Sequence, residues 1–305
     1  MKTRRTSLQV GVVYGIEYGW TAGGWPRLRA ACAGSLLPLL IVLLLTLPAP
    51  AANTTSEPAN PLPTSWPDAP LALVQKLAVD GNVHAQLELA HRHVRGAGIP
   101  VNHQEAARLY REVAERSDAE KQVRGEAAAL LGLCYGVGKG VVMDQAEAFS
   151  WFRRSAEDGF AGGILMVGHC LRLGMGIKKD EAAAVQWLRK AADLDLAAAE
   201  LSLGTCYALG QGVPKNSNEA AKLYLKAAEQ GLSEAQERLG TAYASGEGVP
   251  RDLVQAYRWL SLAAVRRGEN YRKQRDSVEA MMTKEQIAEA ERLAREFNRR
   301  PRSVF

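Results

Sequence analysis

Residues with the chemistry to act on a ligand are few in this chain. His84, Glu88 and His91 stand at i, i+4 and i+7, which on a helix places two imidazoles and a carboxylate on one face, as a zinc ion would need. Only His93 and His103 are near enough to be considered as a fourth ligand, and neither has a fixed spacing to the other three. A solvated polar face accounts for the same residues. His169 stands alone and is expected on the surface of its helix. Cys134, Cys170 and Cys206 recur every 36 residues, and no Ser-x-x-Lys run of the kind that supplies a nucleophilic serine occurs. The expectation is no catalytic residue, no metal site and no cofactor.

A repeat positions all of these residues. Gly138-Lys139-Gly140 returns as Gly174-Met175-Gly176, Gly210-Gln211-Gly212 and Gly246-Glu247-Gly248 at intervals of 36 residues, and Gly96-Ala97-Gly98 stands 42 residues before Gly138. A fixed period of this size marks a solenoid, in which each unit needs its neighbours to bury its apolar face. Six residues after the first glycine comes Asn102, Asp144, Asp180, Asn216 or Asp252, a column of N-caps. Glu105, Glu147, Glu219 and Gln255 follow three later and predict capping boxes, with Ala183 the exception. The first glycine ends one helix, and Pro100, Pro214 and Pro250 prevent its continuation. Each copy therefore reads as helix A, a tight bend and helix B.

Apolar columns give the packing. Helix A carries Leu89, Leu131, Val167, Leu203 and Leu239 seven before the first glycine; helix B carries Ala106, Ala148, Ala184, Ala220 and Ala256, then large pairs such as Trp151-Phe152 and Trp187-Leu188, then small pairs such as Ala227-Ala228. These spacings share one helix face, so the aromatic rows are core and not a stacking platform. Equivalent cysteines in successive copies stand about 10 Å apart, from helix packing distances, too far for a disulfide, and are expected as small buried hydrophobes.

The pattern LG..Y..G.GV..D...A..W, as it stands from Leu131, resembles the Sel1-like repeat, a relative of the tetratricopeptide repeat, over roughly residues 70 to 268. The resemblance implies an all-α solenoid, a right-handed superhelix of helix-turn-helix units acting as an adaptor for protein complexes, frequently in bacterial envelopes. Cysteine-rich members close each repeat with paired cysteines, but the partner slots here hold Ala192 and Ala228. Helix A lines the concave wall in tetratricopeptide-like solenoids. The columns twelve, eight and five before the first glycine vary between copies while their neighbours stay fixed, so this stripe is the candidate partner-binding surface: Leu130, Leu133, Met166, His169, Ser202, Thr205, Arg238 and Thr241. The alternative is that Leu130 and Met166 pack within the stack.

The ends differ from the middle. Residues 1–52 read as a signal peptide or signal anchor: Lys2, Arg4, Arg5, Arg27 and Arg29 precede the apolar run Leu36 to Leu47 and the small residues around Ala51. Without that region the formal charge of +5 falls to about +1, since it carries five basic residues against Glu17. The remainder lacks the basic stripe a nucleic-acid binder keeps. Residues 53–70 form a Pro-rich linker, 71–268 a half repeat followed by five copies, and 269–305 C-terminal capping helices with a basic tail. Extra charged residues around Ser117 to Arg124 are expected to lengthen helix B of the first copy or its loop.

The leading expectation is a periplasmic or secreted scaffold that binds a protein or peptide in its concave groove without catalysis. It meets the membrane only if residues 30–50 stay on as an inner-membrane anchor. A cell-envelope enzyme, or a regulatory subunit acting on cell-wall or peptide substrates, is the alternative.

Overall fold

The structure, a computed structural model, describes residues 63, 65–266 and 268–299. The expected signal segment, the linker up to residue 62, Cys32 and the tail from residue 300 lie outside the described residues. Among the described residues there are thirteen α-helices and no strand. Helix α1 (Leu71–Val79) precedes five pairs: α2 (Val83–Arg95) and α3 (His103–Glu115), α4 (Lys121–Val137) and α5 (Gln145–Glu157), α6 (Ala161–Leu173) and α7 (Glu181–Ala192), α8 (Ala197–Leu209) and α9 (Ser217–Glu229), α10 (Ser233–Ser245) and α11 (Leu253–Arg266). Helices α12 (Gly268–Glu279) and α13 (Lys284–Arg299) close the chain. From α1 to α11 each helix packs on its neighbour in chain order, α12 and α13 both pack on α11, and α4 also touches α2 and α6. The fold is an all-α solenoid, and none of the described helices is long and apolar enough to cross a membrane.

Local chemistry explains the ten repeat helices. Gly96, Gly138, Gly174, Gly210 and Gly246 end the A helices in the left-handed region, at φ between 69° and 76°, where a side chain would be strained. The five expected N-caps accept from the first turn of helix B, as Asn216 does from Glu219 N at 3.1 Å and Asp180 from Ala183 N at 2.9 Å.

The predicted capping boxes do not form at these helices. The N-cap amide that Glu105, Glu147, Glu219 or Gln255 would have to satisfy already donates to helix A: Asn102 N to His93 O, Asp144 N to Tyr135 O, Asn216 N to Tyr207 O and Asp252 N to Tyr243 O, at 2.8–3.0 Å. The acidic residues turn to neighbouring cations instead, Glu105 to Arg108 and Glu219 to Lys222. Among the described residues a complete box forms where no helix A carbonyl competes, with Thr283 N donating to Gln286 Oε1 at 2.9 Å and Gln286 N to Thr283 Oγ1 at 3.3 Å.

The extra residues near Ser117 lengthen the loop after helix B, which runs over 116–120 where 158–160 serves in the next copy, and they also lengthen the helix that follows. Helix α3 keeps the usual 13 residues, while α4 has 17. The rest of the insertion extends the start of the next helix A, where Arg124 Nε reaches Asp158 Oδ2 at 2.8 Å.

The second glycine of each pair does more than turn the chain. At Gly212, φ 72°, a Cβ would lie 2.1 Å from the carbonyl oxygen of Glu181, the first residue of helix B in the preceding pair. Gly140, Gly176 and Gly248 approach His103, Gln145 and Ser217 in the same way. Each loop thus rests directly on the previous unit's backbone, which sets the spacing of the stack. Within a pair, Gly132, Gly168, Gly204 and Gly240 let helix A cross against Phe152, Leu188, Tyr224 and Leu260, which a Cβ would meet at 2.7–2.8 Å.

One buried apolar cluster runs from Leu87 to Leu223 and a second from Leu201 and Tyr224 to Trp259 and Phe297, with half-buried Tyr207 packed against both. At the C-terminal end Ala290 and Phe297 of α13 are buried, with Ile287 and Ala294 half-buried beside them, and the Trp259 and Phe297 rings meet edge to face at 5.4 Å.

Candidate functional site

The stripe of variable residues lies mostly inside the stack. Leu130, Leu133, Met166, His169 and Ser202 are buried, Thr205 is half-buried, and Arg238 and Thr241 are exposed. The cause is the side-by-side placement of the A helices. In α4, α6 and α8 the faces toward helix B and toward both flanking A helices are covered, so these helices are buried nearly all round, as a core helix is. Leu130 and Met166 pack within the stack. Beside α10 lies the polar α12, where Gln274 Nε2 donates to Glu237 Oε1 at 2.9 Å, and Arg238 and Thr241 stay open.

His169 is the clearest departure from expectation, with no exposed surface at all. Ser202 Oγ donates to Ala198 O at 2.7 Å, so its contact with His169 Nε2 at 3.2 Å is one in which the imidazole N–H donates. Nδ1 is then left to accept from Arg172 Nη2 at 3.4 Å. Loss of hydration, with Arg172 adding to it, pushes the pKa of His169 down to about 3. It is a neutral, satisfied bridge between α6 and α8.

The corresponding place between α2 and α4 is ionisable. His91 Nε2 lies 4.0 Å from Glu126 Oε1, and its Nδ1 lies 3.9 Å from Glu88 Oε2. Burial, with Arg95 nearby, lowers His91 to about 4, and burial raises Glu126 to about 7. His91 is therefore neutral at pH 7 and its contacts there are not ion pairs. Glu88 is held by Arg92 Nε at 2.8 Å and by Arg95 Nη2 at 3.6 Å. His84 stacks on Trp66, ring centroids 6.1 Å apart and planes 16° from parallel. The grouping of His84, Glu88 and His91 read from the sequence is thus divided among three sets of contacts and does not converge on one point.

Cys134, Cys170 and Cys206 are free and buried. Burial pushes Cys134 up to about 11 and Cys170 to about 12, so neither supplies a thiolate at neutral pH. Tyr135 and Tyr207 each take a hydrogen bond from an arginine of the preceding helix B, Arg111 and Arg189. Leu225 occupies that arginine's slot in α9, and a shallow apolar depression lined by Leu225, Tyr243 and Val249 opens there. The sequence signal for it is Leu225 in a column that holds Arg111, Arg153 and Arg189 in the three preceding copies.

The family described as Sel1 repeat matches residues 83–118, 125–160, 162–196, 197–232 and 233–264. Among solved structures, the chain is similar to c5321, a protective antigen of uropathogenic Escherichia coli displaying an SLR fold, at 33% identity and a TM-score of 0.66 over 74% of this chain. That match spans 48% of the antigen, about half its length. The chain is also similar to a Sel1 repeat protein from Oxalobacter formigenes, at 29% identity and a TM-score of 0.63 over 74% of this chain and 92% of that one. No curated protein matches the sequence.

Proposed function

We propose, since the chain belongs to the Sel1 repeat family, that it is an exported scaffold that holds a protein or peptide partner and carries out no reaction of its own. Proteins of this family are generally protein-interaction scaffolds. Export is supported by the basic residues, apolar run and small-residue stretch within residues 1–52. Nearly neutral charge beyond that region favours a protein partner over nucleic acid.

The observation that carries the site is the contrast along the stripe: the residues five and eight before the first glycine are sealed in α4 and α6 but open at Arg238 and Thr241 in α10. The partner is placed at this open end, with Thr205 as the half-buried margin. A photo-crosslinking residue at Thr241 should give one discrete adduct in cells, and Arg238→Glu should abolish it while the melting temperature stays put. The same residue at Val79, 87% exposed on α1, should give none. An identical adduct pattern from both positions, or an adduct indifferent to Arg238→Glu, sinks the placement.

A further inference from the structure

The polar residues of α2, His84 and Glu88 among them, meet an occupant of another kind. At the inner junctions the residue five before the first glycine faces a residue eight or twelve before the first glycine of the next pair: His169 meets Ser202, and His91 meets Glu126. The residues at eight and twelve therefore look back toward the preceding A helix. Helix α2 is preceded by α1, which packs as a lone helix B. Its backward-looking residues are His84 and Glu88, with Arg92 one turn on.

Ser65 to Ala69 fill the place of the missing A helix. The segment is a turn closed by Ala69 N on Trp66 O at 3.2 Å and by Ser65 Oγ on Asp68 Oδ2 at 2.8 Å. Trp66 lies flat on His84. Arg92, 6% exposed, is gripped at Nε by Glu88, which aims Nη2 at the carbonyl oxygens of Ala69, Trp66 and Pro67, at 2.6, 3.2 and 3.3 Å. A guanidinium contacting main-chain carbonyls holds the path of the backbone and does not depend on its side chains.

We propose that Ser65–Ala69 is a strap that closes the N-terminal edge of the stack against a second copy of this chain, with Arg92 as its latch. Without the strap, α2 presents Glu88 beside Arg92 and Arg95 on one exposed edge. A two-fold axis between two such edges sets the carboxylate of each copy against the arginines of the other, the self-complementary arrangement an isologous dimer needs. Head-to-tail joining is closed off, because α12 and α13 cover α11 at the other end. A stack of repeats needs a polar cap on each end to stay soluble.

The test uses the full chain, labelled with 5-fluorotryptophan, its Trp66 resonance assigned by Trp66→Phe. Parent protein should be monomeric by light scattering, with a protected Trp66 signal. Arg92→Gln should move that signal to the solvent position and raise the mass toward the dimer as concentration rises. Trp66→Ala should cause the same association while leaving Arg92 and Glu88 in place, so it carries the test if Arg92→Gln fails to fold. Adding Glu88→Arg to Trp66→Ala should restore the monomer by setting like charges face to face. A Trp66 signal unmoved by Arg92→Gln overturns the latch. Strap release in both variants without association, or association that survives Glu88→Arg, overturns the role of the edge.

Discussion

The junctions α2–α4 and α6–α8 are built on the same columns of the repeat and place a histidine at the same position, yet they are filled by opposite means. At the first, His91 keeps 24% of its side chain exposed and sits among Glu88, Arg95 and Glu126. At the second, His169 is wholly enclosed and bonded to a hydroxyl and one guanidinium. The end repeat keeps ionisable groups at its junction, with Glu88 held by Arg92 and Arg95. An interior repeat is sealed on both sides, and a neutral relay stands where a charge would cost several kcal/mol.

The largest effect expected from this contrast is in the backbone. The second glycine is pressed on a carbonyl in the interior but not at the end: a Cβ on Gly212 would lie 2.1 Å from Glu181 O, whereas on Gly98 the nearest atom is Leu71 Cδ2 at 3.7 Å. Both have positive φ, 72° and 78°. Gly98→Ala should cost only the left-handed penalty, about 1–2 kcal/mol. Gly212→Ala must also push two repeats apart, and should cost more than about 4 kcal/mol or prevent folding. Equal losses in urea unfolding would show that the loops do not set the spacing.

Acid comes next. The unfolded chain binds a proton at His169 near pH 6.5, and the folded chain only near pH 3. Between those values the unfolded state holds more protons, so the stability His169 contributes is complete above pH 6.5 and is lost as pH falls, by a few kcal/mol at pH 4 in order of magnitude. His169→Gln keeps a donor for Ser202 and an acceptor for Arg172, and should remove that part of the acid loss. The outcome against it is a variant that loses as much stability as the parent between pH 7 and pH 4.

The outer junction should respond differently, because two opposed titrations overlap there. His91, lowered from 6.5 to about 4, takes stability away as pH falls through that window. Glu126, raised from 4.5 to about 7, adds stability below pH 4.5 and loses it as pH rises to 7. Between pH 4.5 and 6.5 the two slopes cancel. Glu126→Gln should therefore stabilise the protein at pH 8, on the order of 1–2 kcal/mol, and give α2 an acid sensitivity it lacked. Hydrogen exchange of α2 amides at pH 5 and pH 7 reads this directly, and an exchange pattern unchanged by the substitution ends the argument.

What could be read from the sequence was local. Helix boundaries, the αL glycines, the N-cap column and the buried cysteines follow from residues within one repeat, and the family resemblance rests on the same residues. Contacts between repeats were not legible. Variation at Leu130, Met166 and Ser202 looks the same whether a column faces a partner or a differently filled neighbour, so the residues alone left Leu130 and Met166 open between surface and stack, and the structure makes most of the stripe a junction. The capping boxes failed for a related reason: the competing carbonyls of His93, Tyr135, Tyr207 and Tyr243 belong to the other helix of the pair, outside the four-residue motif. Gly212 was read as a bend because its second role depends on Glu181, 31 positions earlier.

The smallest predicted effect concerns the turn that leads into the sealed junction. Helix B ends at Gly81, Gly159 and Gly231 with φ of 84° to 88°, but the equivalent position before α8 is Asp195, at φ 55°, the one non-glycine residue in this region of backbone space among the described residues. Aspartate tolerates the left-handed basin at a cost of about 1 kcal/mol. Its carboxylate also helps raise the pKa of Glu200 to about 6, after the larger contribution of burial. Asp195→Gly relieves both, while the freer unfolded chain takes back about 0.5–1 kcal/mol. The net gain at pH 7 should be a few tenths of a kcal/mol, with the denaturation midpoint moving up at unchanged slope, and Glu200 should titrate lower. If the midpoint falls instead, Asp195 holds the turn through its side chain, and the interior of the stack then depends on a polar contact at its rim as the N-terminal edge does.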